Sequence, residues 1–173
     1  MDMFICVLPI LLTVAFIGYI GFAVGGIYAL LNKKVKKYRN PTPTVDIIAL
    51  DKDSRIMLIK RKNAPLGWAL PGGFVDLGES CPAAAVRELM EETTTPIEQD
   101  DLYLHGVYSD PKRDPRQHNI SITYVCIKRI DPKNVIAGDD AAGFDFFRYN
   151  ELPELAFDHA EIINDFYDKE FIK

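Results

Sequence analysis

The chain opens on an uncharged apolar run from Phe4 to Leu31 and then changes character. Beyond it, apolar residues come in short blocks divided by polar turns, the pattern of packed strands. Val45 to Leu50 and Ile56 to Ile59 predict two strands, joined through Asp51-Lys52-Asp53-Ser54 as a hairpin. Trp68-Ala69-Leu70 predicts a brief extended segment that stops at the turn Pro71-Gly72-Gly73. Further strands are predicted at Leu102 to Tyr108, Ile120 to Ile127 and Phe144 to Tyr149. Two segments switch to helical spacing. From Ser80 to Thr93, the residues Ala84, Ala85 and Leu89, flanked by Val86 and Met90, form an apolar side, with Ser80 as N-cap and Pro82 in the first turn. From Asp158 to Phe171, the stripe is Ile162, Ile163, Phe166 and Tyr167, and Asp158 with Glu161 forms a D-x-x-E capping pattern. Strands interrupted by two helices predict an α/β domain, one mixed sheet between helices.

The first apolar run changes the picture most. It exceeds the roughly 20 residues that span a bilayer, so it predicts one transmembrane helix, with a cleaved signal or a misassigned start as the alternatives. Asp2 stands ahead of it, and Lys33, Lys34, Lys36, Lys37 and Arg39 follow directly. Positive flanks stay on the cytoplasmic side, which predicts a single-pass membrane protein with the N-terminus outside and the remainder cytoplasmic. The domains expected are therefore 1–39, anchor and basic flank, and 40–173, a folded domain reached through the stiff linker Asn40 to Thr44. Gly21, Gly25 and Ala29 recur every four residues, a spacing that permits close helix pairing.

The whole chain carries a net charge of −5, and five of its 20 basic residues lie in that flank. The rest is distinctly acidic, which argues against a nucleic-acid partner. Cys6, Cys81 and Cys126 make no C-x-x-C pair, so neither a disulfide framework nor a zinc site is expected.

An acidic domain that handles an anion needs a metal, and one helix offers candidate ligands, against the reading of a solvated acidic helix with incidental ion pairs. Glu88, Glu91 and Glu92 are spaced i, i+3, i+4 and project from one side of the predicted helix, beside Arg87. Crowded carboxylates repel one another, but they suit a hard divalent cation that takes oxygen ligands. Glycines at 72 and 73 let the backbone approach such a site and contribute a carbonyl.

Residues 73 to 95, GFVDLGESCPAAAVRELMEETTT, resemble the Nudix hydrolase signature G-x5-E-x7-R-E-U-x-E-E-x-G-U, with U a bulky apolar residue. Gly73, Glu79, Arg87, Glu88, Leu89, Glu91 and Glu92 fall in register; Thr94 and Thr95 depart from its last glycine and apolar positions. The departures predict a helix that ends on a different cap, aided by Pro96, with its carboxylate face intact. The resemblance implies an α/β/α sandwich and a pyrophosphohydrolase dependent on Mg²⁺, or Mn²⁺ in its place. By resemblance Glu88 and Glu92 are ligands with Glu91 beside them, Glu79 supports the site and Arg87 holds a carboxylate. It implies a general base that is either a signature glutamate or an acidic residue on a loop outside the signature, for which Asp139 and Asp140 in AGDDAAGF are the candidates; a plain turn is the competing reading of that loop. Homodimerisation through sheets or exchanged N-terminal strands is a family habit that nothing in the residues decides.

Substrate choice lies outside the signature. Lys112, Arg113 and Arg116 concentrate positive charge in VYSDPKRDPRQHNIS and are candidates for binding phosphate, against the reading of a solvated loop paired to Asp110 and Asp114. Trp68, Phe74 and Tyr108 are candidates for stacking on a base or for core packing. With AGDDA and LPELAFDH, this loop looks like the ADP-ribose pyrophosphatase branch of the family. That implies hydrolysis of a nucleoside diphosphate linked to a small group, ADP-ribose to AMP and ribose 5-phosphate. Nucleoside triphosphates, nucleotide sugars, dinucleoside polyphosphates and a non-catalytic ADP-ribose sensor are the alternatives.

Overall fold

The computed structural model describes residues 40–138 and 141–171. The apolar run Phe4 to Leu31, its basic flank, and Asp139 and Asp140 lie outside the described residues. Among the described residues, no helix is long and apolar enough to cross a membrane.

The chain order is β1 (Thr42–Asp51), β2 (Ile56–Arg61), β3 (Trp68–Ala69), β4 (Gly72–Phe74), α1 (Cys81–Thr93), β5 (Leu102–Tyr108), β6 (Asn119–Ile130), β7 (Ala141–Phe147) and α2 (His159–Phe171). β1 organises the sheet. One of its edges pairs parallel with β6 along most of its length. Its other edge is shared, antiparallel to β4 at Thr44–Asp46 and to β2 near Leu50. β5 extends the sheet beyond β6, while β3 and β7 pair with β2, all antiparallel. The sheet is thus mixed, as the sequence predicts.

Side chains alternate across a strand, so a strand buried on both faces must be apolar at successive positions. β1 shows this. Val45, Ile47 and Ala49 face one core with Ala84, Ala85 and Leu89 of α1. Ile48 and Leu50 face a second core with Ile162, Ile163 and Phe166 of α2. One helix covers each face, which gives the α/β/α sandwich. Leu89 and Ile162 are fully buried, each contributing about 2 kcal/mol through removal of apolar surface from water. Met90 is 48 % exposed and does not join the core.

Strand ends run past the predicted limits at β1 and β6, where polar residues continue the ladder. Helix ends agree closely. The Ala83 amide donates to Ser80 Oγ at 3.4 Å, and Pro82 sits in the first turn. At the other end the expectation of a different cap fails: Thr94 itself takes the left-handed conformation, φ 52° and ψ 23°, and donates its N–H to Met90 O. Neighbouring chain supports this cap. Ile136 N–H reaches both Thr93 O and Thr94 Oγ1, and Gly138 N–H donates to Glu92 O at 2.8 Å. At the start of α2, the carboxyl of Asp158 is engaged by Arg113 rather than by the expected capping box, because a guanidinium fork outbids a single amide.

Candidate active site

β1, β4 and α1 converge on a cleft of about 380 Å³, walled on its other side by the 109–118 loop and the entry to α2. The turn at Gly72-Gly73 forms its floor. In the β1–β4 pairing Asp46 lies opposite Gly72, and Ile47 N–H donates to Pro71 O at 2.8 Å, so no space remains between the strands for a side chain at 72. The neighbouring Gly73 gives room to the carboxyl of Glu88.

Glu88 and Glu92, one helical turn apart, both line the cleft. Glu92 is 8 % exposed, and its Oε2 accepts from Gly72 N–H at 2.9 Å. Burial pushes its pKa up to about 8, aided by Glu88 and Asp46 and only partly opposed by Gly72 and Arg61. Burial also raises that of Glu88, against the pull of Arg87. A buried and a partly buried carboxyl that both resist ionisation beside an open cleft lack positive charge, and their hard oxygens fit a divalent cation.

Arg87 uses all five of its N–H donors. It clasps Glu79 through Nε at 3.0 Å and Nη2 at 2.9 Å, and reaches Glu88 at 2.8 Å, Glu91 at 3.1 Å and Phe74 O at 2.9 Å. The Glu79 fork, chiefly, raises the guanidinium's pKa still further, and Arg87 lowers that of Glu79. The guanidinium therefore ties the loop before α1 to the helix and orients Glu88. The side chain of Glu91 is 58 % exposed, rests on Arg87 and does not line the cleft. Among the described residues no three His, Cys, Asp or Glu groups close around one metal-sized point. The structure brings together Glu88, Glu92, Gly72 and Gly73, and leaves Glu91 outside.

The opposite wall differs from expectation. Arg113 is 8 % exposed, not a cation on a solvated loop. It forks onto Asp158 at 2.8 and 2.7 Å and reaches Asp46 at 3.4 Å; burial disfavours its charge, but these carboxyls more than compensate and its pKa is raised. Arg116 lines the cleft, with its charge balanced by a fork onto Asp114 at 3.0 and 2.8 Å. Lys112 and Tyr108 lie on a separate hollow of about 280 Å³, and the Tyr108 hydroxyl donates to Asp165 at 3.1 Å. Phe74 is 43 % exposed on the main cleft. Replacing Arg113 with Ala should accordingly appear first as lost stability, about 3 kcal/mol in urea unfolding, since it strands two carboxyls; an unchanged midpoint would refute the structural tie.

Four further cleft residues lie outside the sequence candidates. Asp46 is the polar break in the buried alternation of β1 and accepts a hydrogen bond from Ser121 Oγ. His159 is buried behind it. Its Nδ1 accepts from Leu70 N–H at 2.9 Å, so the proton of the neutral ring sits on Nε2, 3.5 Å from Asp46 Oδ1; burial lowers its pKa. Arg61 and Phe157 complete the set. An aspartate inside VDIIAL was the one visible clue.

A sandwich with a glycine-floored cleft and paired glutamates on its signature helix defines the class: the chain belongs to the Nudix family, whose NUDIX domain matches residues 40–166. It is a Nudix pyrophosphohydrolase, and such enzymes use divalent metal ions. Among its relatives is an ADP-ribose pyrophosphatase of Methanocaldococcus jannaschii, 48 % identical over 136 residues, 78 % of each chain. Among solved structures, a MutT/nudix family protein from Enterococcus faecalis superposes with a TM-score of 0.71 at 29 % identity, over 87 % of this chain and 70 % of that one. A bifunctional NMN adenylyltransferase/ADP ribose pyrophosphatase from Francisella tularensis, complexed with AMP and a manganese ion, gives 0.67 at 25 % identity, over 86 % of this chain and 46 % of that one.

Proposed function

We propose that this protein hydrolyses ADP-ribose to AMP and ribose 5-phosphate, with Mg²⁺ as its cation. The observation that carries the reading is the cleft itself: Glu88 and Glu92 line it with Arg61 and Arg116, so carboxyls for a metal and cations for phosphate share one space. The relative from Methanocaldococcus supports the substrate.

The reaction adds water across the diphosphate: oxygen attacks one phosphorus, the bridging P–O bond breaks, and the leaving phosphate takes the electron pair. Glu88 and Glu92 would hold a divalent cation, which would neutralise the phosphate oxygens and acidify the attacking water. The chain's own groups do the rest. Arg87 fixes the rotamer of Glu88, Gly72 N–H fixes that of Glu92, and the floor glycines let phosphate approach the backbone. The segment leading to Asp139 and Asp140, the candidates for taking the water's proton, leaves the last turn of α1 at Gly138.

A panel of purified substrates with product identification tests this. Equimolar AMP and ribose 5-phosphate from ADP-ribose is the expected result. Preferred cleavage of nucleoside triphosphates, or tight ADP-ribose binding without turnover, would remove the assignment.

The reading extends to location. The apolar run Phe4 to Leu31 and the five cations after it support a single-pass anchor with the catalytic domain on the cytoplasmic side. Release of the full chain from membranes by alkaline carbonate would count against an anchor.

A further inference from the structure

The path from β3 to β4 changes sheet partners within two residues. β3 pairs with β2 and β4 pairs with β1, so Leu70 and Pro71 lie between two ladders. Leu70 is 1 % exposed, and a buried amide left without an acceptor is costly. The segment that leads into α2 runs beside this stretch. Trp68 N–H donates to Glu154 O at 3.2 Å and Ala156 N–H to Trp68 O at 2.8 Å, a short parallel pairing. One step further, the same pairing would offer Ala156 O to Leu70 N–H. It stops instead. Phe157 takes φ 58°, a left-handed conformation rare for a bulky residue; the chain turns into α2, and Ala156 O receives His159 N–H at 3.4 Å. The acceptor for Leu70 N–H is then the His159 side chain, whose Nδ1 lies at 2.9 Å.

The imidazole is held in the form that this bond requires. Phe157 packs against it with ring centroids 5.3 Å apart. Asp46 turns Oδ2 towards Ser121 and Arg113, which leaves Oδ1 facing Nε2 at 3.5 Å. That carboxylate keeps the proton on Nε2 and the lone pair on Nδ1. Burial keeps the ring neutral against the pull of Asp46 and Asp158, and an imidazolium would have no lone pair to offer. Whatever fixes Leu70 is felt two residues on. A residue before proline is confined to extended backbone and proline has a fixed φ, so Leu70-Pro71 is stiff. Gly72 follows, and its N–H donates to Glu92 Oε2 at 2.9 Å. A short rigid arm thus links His159 on α2 to Glu92 on α1.

We propose that His159 is a positioning residue for the metal centre: its Nδ1 sets the Leu70-Pro71-Gly72 arm, and through the Gly72 amide it fixes the carboxyl of Glu92. The proposal rests on the reading of Glu88 and Glu92 as metal ligands and is independent of which nucleotide is cleaved. His159 acts without touching metal or substrate. Its loss lowers metal affinity, because Glu92 loses the donor that holds its rotamer, whereas loss of a substrate-binding group would raise KM.

Mn²⁺ binding to the metal-free full-length protein, followed by electron paramagnetic resonance, tests this without turnover. Asparagine places its Oδ1 where histidine places Nδ1; glutamine reaches the position of Nε2 and leaves the Leu70 amide unserved. His159→Gln should weaken Mn²⁺ binding by about 10-fold and His159→Asn by no more than about 2-fold, although glutamine is closer to histidine in volume. Simple loss of packing would rank the two the other way. In steady-state kinetics the metal concentration for half-maximal rate should follow the same order, with KM for ADP-ribose at saturating metal unchanged. Ring ¹⁵N shifts of His159 in the unmutated protein should show the proton on Nε2; a proton on Nδ1 overturns the proposal even if neither variant folds. Equal Mn²⁺ affinity in folded His159→Gln and the unmutated protein also overturns it. Mn²⁺ affinity that Glu92→Gln leaves unchanged overturns instead the metal reading beneath it.

Discussion

Glu92→Gln is expected to lower kcat by at least about 10²- to 10³-fold while making the metal-free protein more stable. The two effects share one cause. Glu92 is almost fully buried, and its Oε2 accepts from the Gly72 amide. Burial raises its pKa from 4.5 to about 8, so in the absence of metal the folded state disfavours the charge that the unfolded chain accepts readily. A group raised in this way contributes its full stability below the unfolded pKa and loses it as pH rises through the folded one. Metal-free protein should therefore weaken between about pH 4.5 and 8, by an amount on the order of 3–5 kcal/mol at the upper end. Glutamine keeps an oxygen for Gly72 and carries no charge, so the variant should show a flatter profile and a higher midpoint at pH 8. A divalent cation should restore the unmutated protein at high pH and do little for Glu92→Gln. Denaturant unfolding at pH 5 and pH 8, with chelator and then with Mg²⁺, decides it. Equal pH dependence in the two proteins would show that Glu92 is not the strained group.

What the sequence disclosed and what it concealed follows the range of the interactions. Local periodicity was enough for α1, whose Ser80 cap and Ala84, Ala85, Leu89 stripe depend on near neighbours. It was enough for β1, where two adjacent apolar runs of alternate parity imply burial on both faces. The signature also placed Glu88 and Glu92 correctly beside the glycine turn. Helical spacing could not separate Glu91 from them, because i+3 and i+4 fall on opposite sides of position i and only the sheet decides which side is walled. Arg113 misled for a different reason. Its sequence neighbours are polar, so it reads as exposed, yet its partner Asp158 is 45 residues away. Asp46 and Arg61 come from two different strands, Phe157 and His159 come from the entry to α2, and the four meet only once the sheet is assembled. Thr94 shows tertiary support overriding local preference: residues 136–138 supply the amides that steady a conformation threonine ordinarily avoids.

Adjacent glycines in the cleft floor should respond to the same substitution in opposite ways. A methyl group on Gly72 would lie 2.1 Å from the carbonyl oxygen of Val45 and 2.9 Å from Asp46 Cα, both backbone atoms of the central strand. The residue's φ of 155° adds strain for any side chain. Relief requires separating β4 from β1, which breaks the ladder at Asp46 and removes the Gly72 amide from Glu92. Gly72→Ala should then cost at least about 3 kcal/mol and yield little folded protein. A methyl group on Gly73 meets the carboxyl of Glu88 at 2.4 to 2.6 Å, the far end of a flexible side chain. Rotation of Glu88 relieves that contact without moving backbone, but it pulls one of the two cleft carboxyls off its place and strains its bond to Arg87. Gly73→Ala should keep its thermal midpoint within a few degrees and lose about 10- to 100-fold in kcat, with a matching rise in the metal concentration needed for half-maximal rate. Thermal unfolding and metal titration of the two variants side by side make the comparison. If Gly73→Ala also unfolds, the floor is a packing element throughout; if it retains full activity at low metal, Glu88 does not need the position that the second glycine leaves open.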